Sequence, residues 1–164
     1  MASDPIETAQ MAKSTPEDFG DDDVRAVLED LIEVNRDGEK GFARAAEAVD
    51  DSGAAATLRE FGAERGRFAG ELENIGFRYG VAGGEGGSVT GALHRAWIGL
   101  KDAVAGDDHA ILKAAEVGED KAVETYEAAL EADLPGDVDA VVRRQYSAVN
   151  QAHDRVRSLR DAAA

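Results

Sequence analysis

The sequence predicts an all-α fold made chiefly of four long helices. Apolar residues recur at steps of three or four along most of the chain, which is the period of an amphipathic helix. Strand signals are missing, because no stretch alternates apolar and polar residues and only 5% of the 164 residues are aromatic. A chain of this length buries the core of one domain. We therefore expect one helical-bundle domain over residues 21–162, preceded by a disordered tail over residues 1–20.

The first predicted hairpin spans residues 21–77. Its first helix opens at the acidic run 21–23, where short carboxylates favour an N-cap, and its apolar stripe extends to about Val49. The turn at 50–53 (Asp-Asp-Ser-Gly) ends this helix and supplies the cap of the second. Gly76 closes the second helix, since glycine is favoured just past a helix end.

The first hairpin is joined to a second one at 107–162 by a glycine-rich connector at 80–87 and a short helix at 88–105. The second hairpin folds about a turn at 134–137, which supplies a new helix cap. Trp97 is the expected anchor of the short helix on the bundle. About eighteen helical residues rise 1.5 Å each, so this helix carries the chain roughly 27 Å along the bundle. Such a long crossover is typical of ferritin-like bundles.

Charge and composition exclude several classes of function. Asp and Glu number 34 against 18 Lys and Arg, so the net charge of −16 repels phosphate backbones and anionic bilayers, and we expect neither nucleic acid nor membrane partners. The lack of cysteine excludes disulfides and thiolate chemistry. The first ten residues, MASDPIETAQ, are too acidic and polar for a signal peptide, which predicts a cytoplasmic protein. The three histidines are dispersed and support no catalytic residue.

Polar residues interrupt the apolar stripe near the middle of each long helix. In chain order these are Asn35 and Glu39, Glu64 and Arg65, Glu116 and Glu119, and Gln145 and His153. Folding each hairpin about its turn brings these residues to similar heights. Carboxylates at that depth are unfavourable unless they are paired, hydrogen-bonded or bound to a cation.

Two interpretations of this layer stay open. One is a metal site, which would take iron, manganese or zinc on oxygen ligands and one imidazole. Its candidate ligands are Glu64, Glu116, Glu119 and His153. The other is a buried ion-pair network formed with nearby basic residues, namely Arg36, Lys40, Arg65, Arg67, Arg143 and Arg144. Because several arginines at one height oppose cation binding, we prefer the ion-pair network and expect no cofactor.

Five segments of the chain resemble a bacterial four-helix-bundle family of the ferritin-like superfamily, for which no activity is established. They are LIEVNRDGEKGF (31–42), EFGAERGRFAGEL (60–72), GALHRAWIGLK (91–101), ILKAAEVGEDKAVETYEAAL (111–130) and QYSAVNQAHDRVRSLRD (145–161). The resemblance covers about residues 22–161. It implies a ferritin-like four-helix bundle of two hairpins with a short extra helix in the crossover.

A more distant resemblance is to the rubrerythrin-type di-iron proteins. Their pattern has Glu on the first helix, Glu-x-x-His on the second, Glu on the third and Glu-x-x-His on the fourth. Glu119 resembles the third element, and His153 the histidine of the fourth, with Asn150 three residues before it. Asn35 and Arg65 stand where the first two glutamates would be expected.

The function expected from these observations is that of a stress-associated interaction or helper protein, and the residues favour a protein that is not an enzyme without deciding the question. The stress association is an analogy at the level of the fold. The alternative is a di-iron-type oxidase or peroxidase that uses the mid-bundle Glu and His. A homo-oligomer that docks through the surface around Trp97 is a further expectation, and the identity of any other protein partner is not predicted.

Overall fold

The computed structural model describes residues 17–81 and 106–164, together with Trp97, Leu100 and Ala103. Within these residues the chain is helical and has no β-strand, which confirms the all-α prediction. The four long helices are α1 (Glu17–Ala48), α2 (Ser52–Gly76), α3 (Asp108–Glu131) and α4 (Gly136–Ala162). One turn of 3-10 helix, Phe77–Tyr79, follows α2.

Helix α1 begins earlier than the sequence analysis predicted. Its first residue is Glu17, so residues 17–20, which were predicted to belong to a disordered tail, are helical. Pro16 precedes the helix in the sequence, and proline is a residue type that is frequent at helix starts. The acidic residues that follow also favour the positive end of the helix dipole. The rest of the predicted tail lies outside the described residues.

The next two helices both begin at an aspartate cap, the first of which lies in the turn predicted to supply it. The Asp51 carboxylate accepts a hydrogen bond from the Ala54 amide at 2.7 Å, and the Asp107 carboxylate accepts one from the Ala110 amide at 3.0 Å. Helix α4 is different, because Pro135 occupies its N-cap position and supplies no side-chain hydrogen bond. The cap predicted in the turn 134–137 was therefore wrong.

Contacts at the two ends of the bundle define the directions of the helices. The Asp108 carboxylate accepts hydrogen bonds from the backbone amides of Asp50 and Asp51, at 2.8 and 3.0 Å. Helices α2 and α3 therefore begin at the same end and run parallel. At the other end, Arg78 pairs at 2.6 Å with Asp137 in the first turn of α4.

The parallel direction of α2 and α3 requires a long connection between them. Helix α2 has 25 residues and is therefore about 37 Å long. The chain leaves α2 at one end of the bundle and enters α3 at the other, so residues 82–105 connect opposite ends. Of the short helix predicted at 88–105, Trp97 and Leu100 are helical, and most of the remainder lies outside the described residues.

The apolar core is divided into two clusters along the bundle. Among the residues of the first cluster are Leu28, Leu31, Phe68, Leu72, Tyr126 and Val142, and among those of the second are Phe42, Leu58, Ile111, Leu112 and Val156. The interruption on each of the first three helices is a buried polar residue: Asn35, Arg65 and Glu119. None of the described helices is both long and apolar enough for a bilayer span.

Candidate functional site: the polar layer between the two core clusters

An ion pair between α2 and α3 forms the centre of this polar layer. The Arg65 and Glu119 side chains are each only 1% exposed, and Arg65 Nη2 donates to Glu119 Oε2 at 2.5 Å. The aliphatic part of Arg65 passes over Gly38, where a β-carbon would lie 3.3 Å from Arg65 Cγ. The guanidinium lies 5.9 Å from the centroid of the Phe42 ring, within the range of a cation–π contact.

The environment of Glu119 disfavours its charge even though the residue is paired. Burial is the largest effect and raises the pKa of the Glu119 carboxyl above its usual value, because the ionised form loses its hydration. The charges of Arg65 and His153 act in the opposite direction, while the charge of Glu64 adds to the rise. The pair is thus held by geometry and hydrogen bonding in a place that water does not reach.

A chain of hydrogen bonds links the other helices to the layer. Asn35 Nδ2 donates to the Leu31 carbonyl and to the Tyr126 hydroxyl oxygen, both at 2.7 Å. The Tyr126 hydroxyl donates to Gln145 Oε1 at 2.8 Å, and Gln145 Nε2 donates to Glu71 at 3.0 Å. Burial raises the pKa of the Tyr126 hydroxyl well above its usual value, so the hydroxyl keeps the proton that it donates.

Two of the predicted metal ligands lie on α3, but their carboxylates meet different arginines. Glu119 pairs with Arg65 as described, whereas Glu116 pairs with Arg160 and lies 3.5 Å from Arg157. Both of these arginines lie on α4, toward the C-terminal end of the chain. Glu64, the third predicted carboxylate, is half-buried on α2.

The predicted histidine ligand faces an aspartate that the sequence analysis did not name. His153 is nearly buried, and its Nε2 lies 2.6 Å from Asp120 Oδ1. Its Nδ1 lies 3.5 Å from Asp154 Oδ1. Asp120 directly follows Glu119 in the sequence, so α3 presents one carboxylate to Arg65 and the next to His153.

These contacts do not fit a di-metal centre at the layer. Among the residues that the structure describes, no three His, Asp or Glu side chains are grouped so that they could hold a metal ion. Glu64, Glu116, Glu119 and His153 therefore do not form one ligand set in this arrangement. Where the di-iron pattern has two glutamates, the chain has the neutral Asn35 and the permanently charged Arg65. The Arg65 guanidinium occupies a lone pair of the Glu119 carboxylate and repels a cation that would bind there.

Trp97 lies in a groove that two glycines create. A β-carbon at Gly41 on α1 would lie 2.5 Å from the indole ring, and one at Gly118 on α3 would lie closer still. The ring also packs against Phe42, with centroids 5.5 Å apart in an edge-to-face arrangement. The expected anchor of the crossover therefore packs on the bundle itself, and Trp97 is half-buried there. The homo-oligomer contact expected around Trp97 stays a prediction.

A cleft of about 660 Å³ opens at the end of the bundle where α2 and α3 begin. Aspartates line its rim, with Leu112 and Leu159 on its apolar side. The rim carboxylates have structural partners, because Asp51 and Asp107 cap helices and Asp108 binds the amides of the turn before α2. Three of the four aspartates at the rim therefore have structural roles.

The comparison with protein families identifies the chain. A family model described as "Domain of unknown function (DUF2383)" matches residues 23–132, which include most of α1, all of α2 and α3 and the connection between them. No curated protein matches the chain. Because the match extends over well more than half of the sequence, the chain belongs to the DUF2383 family.

Proposed function

We propose that this protein is a ferritin-like four-helix bundle whose interior ion pair takes the place of a metal centre, and that it works in the cytoplasm as an interaction or helper protein. The observation that carries the proposal is the Arg65–Glu119 pair, in which both side chains are 1% exposed. A permanent cation on the one carboxylate that matches the di-iron pattern balances the charge of that carboxylate without metal. The stress association remains an analogy from the fold.

The direction of the helices supports the ferritin-like part of the proposal. Helices α2 and α3 run parallel and are joined across the length of the bundle, as the contacts of Asp108 at one end and Arg78 at the other require. Bundles with one long crossover of this kind have the ferritin-like topology, whereas simple up-and-down bundles have three short loops.

The surface supports action through contacts with other molecules rather than through an internal reaction centre. The net charge of −16 disfavours acidic partners such as nucleic acids and anionic bilayers. Phe77, directly after α2, is 74% exposed and places an aromatic ring in solvent beside the charged Arg78. Sedimentation of the purified protein measures whether the contact partner is a second copy of the chain.

The metal-binding oxidase or peroxidase is the alternative, and elemental analysis distinguishes the two. Protein is purified from cells grown with added iron, manganese and zinc, and its thermal unfolding is compared with and without a chelator. We expect no stoichiometric metal and an unchanged midpoint. A resident metal at a hundred times its Kd would stabilise the fold by about 2.7 kcal/mol, which corresponds to roughly 5–10 °C in Tm. Stoichiometric metal with a chelator-dependent drop of that size would establish the alternative.

A further inference from the structure

Two residues of the polar layer have buried atoms without a hydrogen-bond partner. These atoms are the side-chain oxygen of Asn35 (Oδ1) and two nitrogens of Arg65 (Nε and Nη1). The residues are 0% and 1% exposed, so bulk water does not satisfy these atoms. Buried polar atoms in native proteins nearly always have a partner, and where the protein supplies none, the partner is usually an ordered water or ion.

The orientation of the Asn35 amide is fixed by its neighbours. Its nitrogen donates to the Leu31 carbonyl at 2.7 Å, and that carbonyl can only accept. Rotating the amide by half a turn would place Asn35 Oδ1 against the Leu31 carbonyl oxygen, and both atoms are acceptors. The side-chain atom without a partner is therefore the oxygen. The open atoms of Arg65 are donors in any orientation, because the guanidinium stays protonated.

The open atoms belong to one neighbourhood of the bundle. Arg65 passes over Gly38, which lies one helical turn after Asn35 on α1. Asn35 is hydrogen-bonded to the Tyr126 hydroxyl, and the charge of Arg65 is near enough to the same hydroxyl to oppose the rise in its pKa. Asn35, which has the unpartnered acceptor, and Arg65, which has the unpartnered donors, thus both lie near the Tyr126 hydroxyl.

This combination of open atoms selects the kind of ligand. A metal cation would be attracted by Asn35 Oδ1 but repelled by the guanidinium. An anion would be attracted by the guanidinium but would present another lone pair to Asn35 Oδ1. Water donates to one group and accepts from the other, and internal waters typically make about three such hydrogen bonds.

We propose that the polar layer contains an internal water site, in which a long-lived water molecule donates to Asn35 Oδ1 and accepts from Nε or Nη1 of Arg65. The site completes the hydrogen bonding of the interior and joins α1 to α2 at the height of the ion pair. The water site depends on Asn35, Arg65 and their position near Tyr126, and it exists whether or not the protein binds metal elsewhere.

The first test is solution NMR of the full chain, which detects contact between water and the Nε–H proton of Arg65. We expect nuclear Overhauser cross-peaks to water of opposite sign in the laboratory and rotating frames, as a long-lived bound water gives. Cross-peaks of equal sign, which indicate chemical exchange, would overturn the proposal. A saturable shift of this resonance with added chloride, accompanied by loss of the water signal, would assign the site to an anion instead.

A second measurement does not depend on that resonance. Oxygen-17 relaxation dispersion of the solvent counts long-lived internal waters in the wild type, in Asn35→Leu and in Thr125→Val as a matched control. Thr125 is also buried, but its hydroxyl bonds to the Lys121 carbonyl at 2.8 Å, away from the layer. We expect Asn35→Leu to lose one long-lived water and the control to lose none. Equal counts in the wild type and Asn35→Leu would overturn the proposal, and circular dichroism verifies that each variant is folded.

Discussion

Replacing Arg65 and Glu119 singly and together measures how strongly the interior pair couples α2 to α3. Each side chain is 1% exposed, so a single replacement leaves its partner as an unpaired group in the core. Removing one member of a buried pair typically destabilises a protein by about 3–5 kcal/mol. Replacing both members by apolar residues of similar size is often neutral or stabilising. We therefore expect Arg65→Met with Glu119→Leu to be far more stable than the sum of the single effects indicates.

The two single variants should differ from each other. Glu119→Leu leaves a guanidinium that cannot lose its proton, so it carries the full penalty of about 3–5 kcal/mol. In Arg65→Met the remaining carboxyl can be protonated, and its pKa is already raised by burial. Each further unit of pKa rise costs only about 1.4 kcal/mol, so this variant should be the less damaged of the two.

Urea unfolding monitored by circular dichroism at neutral pH supplies the four stabilities. The predicted loss for Glu119→Leu corresponds to a fall in Tm of roughly 6–20 °C for a chain of this size. The exposed Arg78–Asp137 pair, with side chains 60% and 56% exposed, is the matched control and should show little coupling. A double variant at Arg65 and Glu119 that loses the full sum of the single effects would refute the reasoning.

Three further predictions follow from the packing, the electrostatics and the capping. Gly118→Ala places a methyl group where the Trp97 ring lies, so we expect lower stability and red-shifted emission from the single tryptophan. In the control Gly70→Ala the new methyl group meets nothing within 4 Å, and this variant should gain about 0.5–1 kcal/mol of stability. An unshifted emission spectrum of Gly118→Ala would contradict the packing. Because burial raises the folded-state pKa of Glu119, the stability that this group confers at acid pH is lost as the pH rises through that pKa, so the advantage of the wild type over Glu119→Gln should shrink as the pH rises above the usual range of a glutamate. An advantage that grows with pH would mean that pairing with Arg65 outweighs burial. Asp51→Ala removes the cap of α2 and should cost about 1 kcal/mol in urea unfolding, and an unchanged midpoint would count against the capping role.

The sequence was sufficient for the helices and for the depth of most of the polar residues, although Glu39 and Glu64 are only partly buried. Helical period locates the apolar stripes, and the turn 50–53 locates the cap at Asp51. The start of α1 was wrong because the acidic run 21–23 was interpreted as the cap, whereas the helix already includes residues 17–20. The inward position of Glu119 followed from its place between Ala115 and Ala122 on the stripe.

The partners of the polar residues were harder to predict than their depth. Glu116 contacts Arg157 and Arg160, which lie one to two turns beyond His153 on α4. The sequence analysis did not include these two arginines among the basic residues near the polar layer. His153 meets Asp120, which faces away from the apolar stripe of α3. Side-chain rotamers and the rotation of each helix about its axis decide which of two neighbouring carboxylates pairs with a given basic residue. The hydrophobic period determines neither of them closely.

The role of the glycines could not be predicted from local sequence alone. Gly41 and Gly118 lower helix propensity and carry no chemistry of their own. Their function becomes apparent only when Trp97, far from both in sequence, occupies the groove between α1 and α3. A glycine in the middle of a long helical segment is nevertheless a signal that another group approaches closely there.

Anaerobic titration of metal-stripped protein with Fe(II) tests the central claim most directly, because it asks whether the interior accepts metal in place of the Arg65–Glu119 pair. The account predicts no stoichiometric binding to the wild type and no change in its unfolding midpoint with iron. Binding near two irons per chain, the stoichiometry of a di-iron bundle, would contradict it if Glu119→Ala and His153→Ala both abolished that binding.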